Sequence, residues 1–221
     1  MKLEHVPSAA LSIHVIRRLP RYLRELDVLL AKGITRISSV QLGRRMGLTA
    51  SQIRQDFSCC SGVGIQGYGY NVAVLRDRLA QILGMDRDYS AILIGAGKLG
   101  RLLMENFSAV ARGYHLRAVF DADAALIGQV IDDMPILSIS NLRSYIRKNG
   151  IDIAILAVPT GEAQRIADAV TDAGIRGIWN FTNTDITTGE SQVPVEDVHF
   201  SDSFLTLSYF LAQDDRANAK R

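Results

Sequence analysis

At 221 residues, with 48% hydrophobic and 22% charged side chains, the chain has the make-up of a soluble globular protein with room for one large core or two small ones. No apolar stretch approaches the roughly 18 residues of a membrane span, and the N-terminus lacks a compact hydrophobic signal core, so a cytoplasmic location with no membrane partner is expected. The net charge of +2 hides an asymmetry: residues 1–84 carry 12 Lys and Arg against 5 Asp and Glu, whereas residues 85–221 carry 13 against 18. Such segregation suits a first half that faces a polyanion, although a solvated basic helix would give the same count.

From Pro7 to about Lys32, apolar residues at Leu11, Val15, Leu19, Leu23, Leu26, Val28, Leu29 and Leu30 keep a helical rhythm, which Gly33 ends and Pro20 is expected to kink or divide. Ser38-Ser39-Val40-Gln41 is a capping box that opens a short helix through Leu42 and Met46, closed by Gly47. Thr49-Ala50-Ser51-Gln52 is a second such box, and the pair of helices describes a helix-turn-helix. On the second helix Ile53, Phe57 and Cys60 share the inward face, which leaves Ser51, Gln52, Arg54, Gln55 and Ser58 outward or flanking. Gln pairs with adenine, Arg with guanine or phosphate, and Ser with either base or backbone, so this face suits a DNA groove. Arg44 and Arg45, one turn earlier, are placed to meet phosphates. A plain solvated helix face is the alternative.

Cys59 and Cys60 are adjacent and have no companions, which argues against a disulfide framework and a zinc site; small buried hydrophobes are the expected role, with a vicinal thiol switch as the alternative. The run from Ser61 to Tyr70 has four glycines at near-alternate positions, the pattern of a tight hairpin, and a winged-helix domain would use it as its wing. It lacks the Lys and following Ser or Thr of a P-loop. Asn71 to Leu83 reads as an amphipathic helix through Val72, Leu75, Leu79 and Ile82, stopped by Gly84, and Met85 to Ser90 is a short polar joint.

Beyond the joint, apolar runs at Ala91 to Ile94, Leu116 to Phe120, Ile151 to Val158 and Gly177 to Phe181 alternate with helical segments near 98–107, 140–149 and 161–173, which implies a doubly wound parallel sheet. Gly95-Ala96-Gly97-Lys98-Leu99-Gly100 follows the first run directly, and Asp121 closes the second. This is a dinucleotide fingerprint in its expected context: Gly95 permits the turn, Gly97 lets backbone approach the pyrophosphate, and Gly100 lets the helix pack closely. Asp121 is placed to accept the adenosine ribose hydroxyls, with Asp123 as a possible assistant, and its charge favours NAD(H) over NADP(H). Only about 40 residues follow this fold, too few for a substrate domain, and no catalytic constellation accompanies His115 or His199. Binding without turnover is expected, with no catalytic residue and no metal. From Phe200 to Leu211 apolar residues cover more than one helix face, which calls for several neighbours within the core or for a second subunit.

The ordered set Ile37 to Leu42, Gln52 to Ser58, Gly67 to Tyr70, Ile82-Leu83-Gly84, the Gly95 to Gly100 fingerprint, Ile153 to Pro159, Gly177 to Phe181 and Leu207 to Leu211 resembles the Rex family of bacterial redox-sensing transcriptional repressors over nearly the whole chain. The resemblance implies an α/β protein made of a winged-helix DNA-binding domain (1–84), a Rossmann NAD(H)-binding domain (85–199) and a C-terminal dimerisation helix and tail (200–221), the helix being exchanged between the subunits of a homodimer. It implies that Val158, Pro159, Asn180 and Phe181 complete the NAD+/NADH site, that Gln66 and Gly67 of the wing reach operator DNA, and that NADH releases an operator held in its absence. The family's two basic wing residues are here Ile65 and Gln66, its Arg-Lys-Asp is Arg54-Gln55-Asp56, its Tyr-Pro after the fingerprint helix is Asn106-Phe107, and its acid before the last helix is His199. Fewer cations imply weaker, less salt-sensitive DNA binding. The last two changes touch positions that couple nucleotide state to wing orientation in the family. A paralogue with a weakened redox response and a small NAD-dependent oxidoreductase therefore stand as alternatives.

Overall fold

The computed structural model describes residues 11–59, 64–65, 68–110 and 113–218, and the chain falls into two units, Met1–Arg87 and Asp88–Arg221. In the first unit α1 (Ile13–Ala31) starts at Ser12, whose hydroxyl accepts from Val15 N. The helix runs through Pro20 without dividing: the lost N–H costs the Ile16 carbonyl its partner, but the burial of Leu19, Tyr22, Leu23, Leu26 and Leu29 outweighs that loss. The part of this helix expected between Pro7 and Ala10 lies outside the described residues.

After β1 (Arg36–Ile37), α2 (Ser39–Met46) carries the complete capping box: Ser38 Oγ accepts from Gln41 N at 3.1 Å, and Gln41 Oε1 accepts from Ser38 N at 2.9 Å. Gly47 ends it at φ 69°. At the start of α3 (Ala50–Asp56) only half of the second box forms, because Thr49 caps Gln52 N while the Gln52 side chain turns forward to Asp56 instead of back to the cap. The hairpin of β2 (Gly64–Ile65) and β3 (Gly69–Asn71) follows, with β3 between β1 and β2 in an antiparallel sheet. Then α4 (Val72–Ile82), capped by Asn71, packs on α1. Leu42, Ile53, Phe57, Leu75 and Leu79 join the α1 residues in one core. Helices with a small wing sheet make this a winged-helix unit. The wing positions Gln66 and Gly67, and Cys60, lie outside the described residues.

The second unit is built from β4 (Tyr89–Ile94), α5 (Lys98–Val110), β5 (Tyr114–Asp121), β6 (Val130–Ile131), β7 (Met134–Ser138), α6 (Leu142–Asn149), β8 (Ile153–Leu156), α7 (Thr160–Ala173), β9 (Gly177–Asn180), β10 (Val195–Asp197) and α8 (Phe200–Asn218). Its seven strands run in the order β10-β9-β8-β4-β5-β7-β6, parallel except for β6 against β7. Alternation along β4 feeds two apolar layers. Ile92 and Ile94 join the core with α6 and α7, while Ala91 and Leu93 join Met104 of α5 on the opposite face. Because the chain leaves β4 towards β5 and later returns to the other side of β4 as β8, the sheet reverses its winding between β4 and β8. Ligands of such folds bind at the carboxyl ends of the strands at that point.

In α8 every side chain described from Phe200 to Gln213 is exposed, including Phe204 at 71% and Leu205 at 69%. The reading of this helix as part of its own domain's core is therefore excluded. Among the described residues of its own unit, none covers this apolar girdle.

Candidate functional site

The structure places Ser51, Arg54 and Gln55 of α3 at the surface, as the face of a groove-reading helix requires, and Ser58 likewise on the 3-10 turn Phe57–Cys59 that follows it. Gln52 is half-buried, and its Nε2 is committed to Asp56 Oδ1 at 2.9 Å, so it braces the helix from below. Arg54 Nη1 donates to Ser39 Oγ at 3.2 Å, which ties α3 to the first turn of α2. Arg44 is exposed, and Arg45 is paired with Glu25 of α1, which partly neutralises a cation expected to meet phosphate. Beneath this face the Asp56 carboxylate, with its side chain fully buried, accepts from Arg18 Nε and Nη2 (both 2.7 Å), Tyr22 Oη (2.6 Å) and Gln52. Burial alone would push Asp56 up, but these hydrogen bonds and the Arg18 charge hold it below the ordinary carboxylate range. The network fixes the pitch of α3 against α1.

In the second unit a cavity of about 660 Å³ opens at the switch point between β4 and β8. That volume is in the range of cofactor sites. Gly95, Gly97, Lys98, Leu99, Asp121, Val158, Pro159 and Phe181 line it, together with Ala122, Asp123, Leu126 and Ile139 on one side and Glu162, Arg165 and Ile166 of α7 on another. Gly95 has φ +100°, and a Cβ there would lie 2.3 Å from the Ala157 carbonyl oxygen. A Cβ on Gly100 would lie 1.9 Å from the Gly95 carbonyl oxygen, whereas one on Gly97 would meet nothing within 4 Å. So Gly95 and Gly100 are demanded by the fold, and Gly97 is kept bare towards the open cavity. This division of labour is what a dinucleotide fingerprint needs.

Asp121 Oδ2 accepts from Ala96 N at 2.6 Å and Oδ1 from Asp123 N at 2.9 Å, so the carboxylate pins the glycine turn and still keeps lone pairs for a ribose. Arg101 Nε clamps the same turn through the Ala96 carbonyl at 3.1 Å. Ala96 itself is buried behind the wall, and Gly100 serves as the packing contact under it. Asn180 also lies outside the cavity lining. Its fully buried amide donates to Thr184 O and Asp197 Oδ1 and accepts from Thr182, so it shapes the loop after β9 that carries Phe181. Leu126, Ile139, Glu162 and Arg165 escaped the sequence reading. The last two sit one and two turns into the helix that follows Val158-Pro159, a place where the helix start itself is the only signal.

His199 Nε2 lies 3.0 Å from Asp185 Oδ1, just ahead of α8. Asp185, Asp197 and His199 form the one grouping among the described residues whose ligating atoms all come within 4.8 Å of one another. The two carboxylates are engaged with His199 and Asn180, so the grouping is a hydrogen-bonded turn in this structure. Asn106 Nδ2 donates to Leu102 O of its own helix at 2.9 Å.

Residues 10–58 match the family model described as a putative DNA-binding protein N-terminus, and residues 86–184 match the CoA binding domain. The redox-sensing transcriptional repressor Rex of Caldicellulosiruptor bescii is 46% identical over 201 residues, which is 91% of this chain and 92% of that protein. The Rex of Caldanaerobacter subterraneus subsp. tengcongensis is 45% identical over 204 residues, 92% of this chain and 91% of that one. The chain belongs to the Rex family. Its structure agrees with that of RSP, a Rex-family repressor, at a TM-score of 0.88 and 42% identity, over 96% of this chain and 100% of that one. RSP has also been solved with β-NAD+ and operator DNA (TM-score 0.87, 43% identity, 96% and 97% covered) and with β-NADH (0.87, 41%, 97% and 100%). As a Rex-family member the chain is a redox-sensing repressor with a Rossmann-like domain, and not an enzyme: relatives matched over 91–92% of their length are named as transcriptional repressors. Among its described residues no helix is long and apolar enough to cross a membrane.

Proposed function

We propose that this chain works in the cytoplasm as a homodimer that holds operator DNA when NAD+ prevails and leaves it when NADH occupies the cavity at the β4/β8 switch point. The observation that carries the reading is a bare-glycine turn opening onto that cavity in the same chain as an exposed recognition helix. Gly97 and the first turn of α5, which lines the cavity through Lys98 and Leu99, would receive the pyrophosphate, and Asp121 would receive the adenosine ribose. Val158, Pro159 and Phe181 supply an apolar wall for the nicotinamide. The two oxidation states differ there by one charge, and a neutral dihydronicotinamide is desolvated at less cost than the cationic ring. Redox control follows if the DNA-bound and DNA-free dimers bind these rings unequally, since equal affinity shifts nothing.

On the DNA side we assign groove contacts to Ser51, Arg54, Gln55 and Ser58, phosphate contacts to Arg44, and wing contacts to Gln66 and Gly67. The exposure of α3 and of the 3-10 turn after it supports the first group. A helix with Phe204, Leu205, Leu207, Tyr209, Phe210 and Leu211 all open to solvent is unsuited to a monomer, and a second copy that exchanges α8 would cover it. Leu207→Glu is therefore expected to raise the dimer dissociation constant by at least about 100-fold, equivalent to about 2.7 kcal/mol, as read by sedimentation. An unchanged sedimentation profile would remove the exchanged helix from the account.

Two local contacts favour a weakened redox response instead. Asn106 bonds its own helix and His199 bonds Asp185, so both positions are spent on local contacts. Titrating NAD+ and NADH separately against an operator complex tests both readings: selective release by NADH supports the first, and equal, feeble responses support the second.

A further inference from the structure

We infer that Glu162 is a cofactor-specificity residue, one that keeps Arg165 from recruiting a second phosphate and so keeps the cavity for NAD(H). The inference rests on the dinucleotide reading of the cavity and adds to it a device on α7. Among the lining residues only Lys98 and Arg165 are cationic, against the acids Asp121, Asp123 and Glu162. Lys98 stands in the first turn of α5 beside the bare glycine turn, where a pyrophosphate belongs. That leaves Arg165 as the cation able to meet a further anionic group.

Arg165 is already occupied. Its Nε donates to Glu162 Oε2 at 2.9 Å, and its Nη2 donates to the same oxygen. These are the two donors along one edge of the guanidinium, the edge that would otherwise clasp a phosphate through two parallel hydrogen bonds. A 2′-phosphate drawn to Arg165 would have to displace Glu162 from it, in a cavity that also carries Asp121 and Asp123. Acidic residues in a first helical turn ordinarily favour the helix dipole, and Glu162 has that position in α7. A purely helix-stabilising role, however, would treat NADH and NADPH alike.

The test is a parallel titration of NADH and NADPH by nicotinamide fluorescence on the full-length protein. In Glu162→Gln the ratio of the NADPH to the NADH dissociation constant is expected to fall about tenfold, since a repelling charge is lost and the Arg165 fork is freed. Adding Arg165→Gln to that variant should return the ratio to its wild-type value. A ratio unmoved by Glu162→Gln, or a fall that persists in the double variant, would overturn the assignment. Wild-type protein that binds neither nucleotide would overturn the dinucleotide reading itself, and this device with it.

Discussion

Asp56→Ala is expected to destabilise the N-terminal unit by about 3–5 kcal/mol, enough to abolish operator binding at ordinary temperatures. The substitution removes the acceptor of Arg18, Tyr22 and Gln52 together, and leaves the Arg18 guanidinium and the buried Tyr22 hydroxyl beside a cavity. Asp56→Asn keeps the volume but not the charge, and should lie between wild type and alanine. Because Asp56 is held below the ordinary carboxylate range in the folded protein, its contribution is fully present above the unfolded value of about 3.9. It is lost as pH falls through the lower folded value. Thermal unfolding of wild type should therefore show an acid limb below about pH 4 that is flattened in Asp56→Asn. Similar melting of wild type and Asp56→Ala at neutral pH would show that the network is dispensable.

The second large effect is expected at the glycine turn, where two substitutions with the same added methyl should part company. Gly100→Ala forces the new Cβ into the Gly95 carbonyl at 1.9 Å, and backbone cannot swing aside as a side chain can. The start of α5 must shift, at about 1–3 kcal/mol of stability and with NADH affinity lowered at least about tenfold. Gly97→Ala meets nothing within 4 Å in this structure and should melt like wild type, yet it too should lose NADH affinity, since the methyl occupies the space a pyrophosphate needs. Calorimetry and nicotinamide fluorescence on both variants decide the matter. If Gly97→Ala bound NADH as wild type does, the phosphates would have to lie elsewhere.

Much of this arrangement was legible from residue order because local signals and burial agreed. Ser38 with Gln41, Gly47, Asn71 and the apolar runs of β4, β5, β8 and β9 each state one structure, and the chain adopts it. Of the two effects expected of Pro20, division does not occur, because its penalty is local and the burial of the α1 face is larger. The hairpin of β6 and β7 was hidden for a different reason. Its turn uses Asp132 and Asp133 at φ 46° and 62°, positions where glycine or asparagine would have signalled the reversal, and Pro135 argues against a strand. Edge strand β10 is three residues long, below the length at which alternation can be read.

The fingerprint residues were similarly transparent where they obey backbone necessity and opaque where they depend on side-chain traffic. Gly95 and Gly97 reach the cavity, but nothing in the order of residues says that Asn180 turns away from it to hold Asp197, or that Gln52 turns inward to Asp56. Glu162 and Arg165 enter the cavity only because α7 starts at the switch point, a fact of topology. The same distinction governs the proposed dimer contact. The girdle on α8 says that something covers it, and exposure from Phe200 to Gln213 says that the described part of its own unit does not.

Occupancy of the β4/β8 cavity by the reduced nucleotide is expected to be felt at the DNA, a coupling open to direct measurement. It is tested most directly by fluorescence anisotropy of an operator duplex, selected by the protein itself from a random pool, at one fixed salt concentration. NADH is expected to release the duplex at concentrations about 100-fold below those at which NAD+ has any effect, because only a ligand with unequal affinity for the DNA-bound and DNA-free states shifts them. Identical titrations by the two nucleotides, or an operator complex indifferent to both, would contradict it.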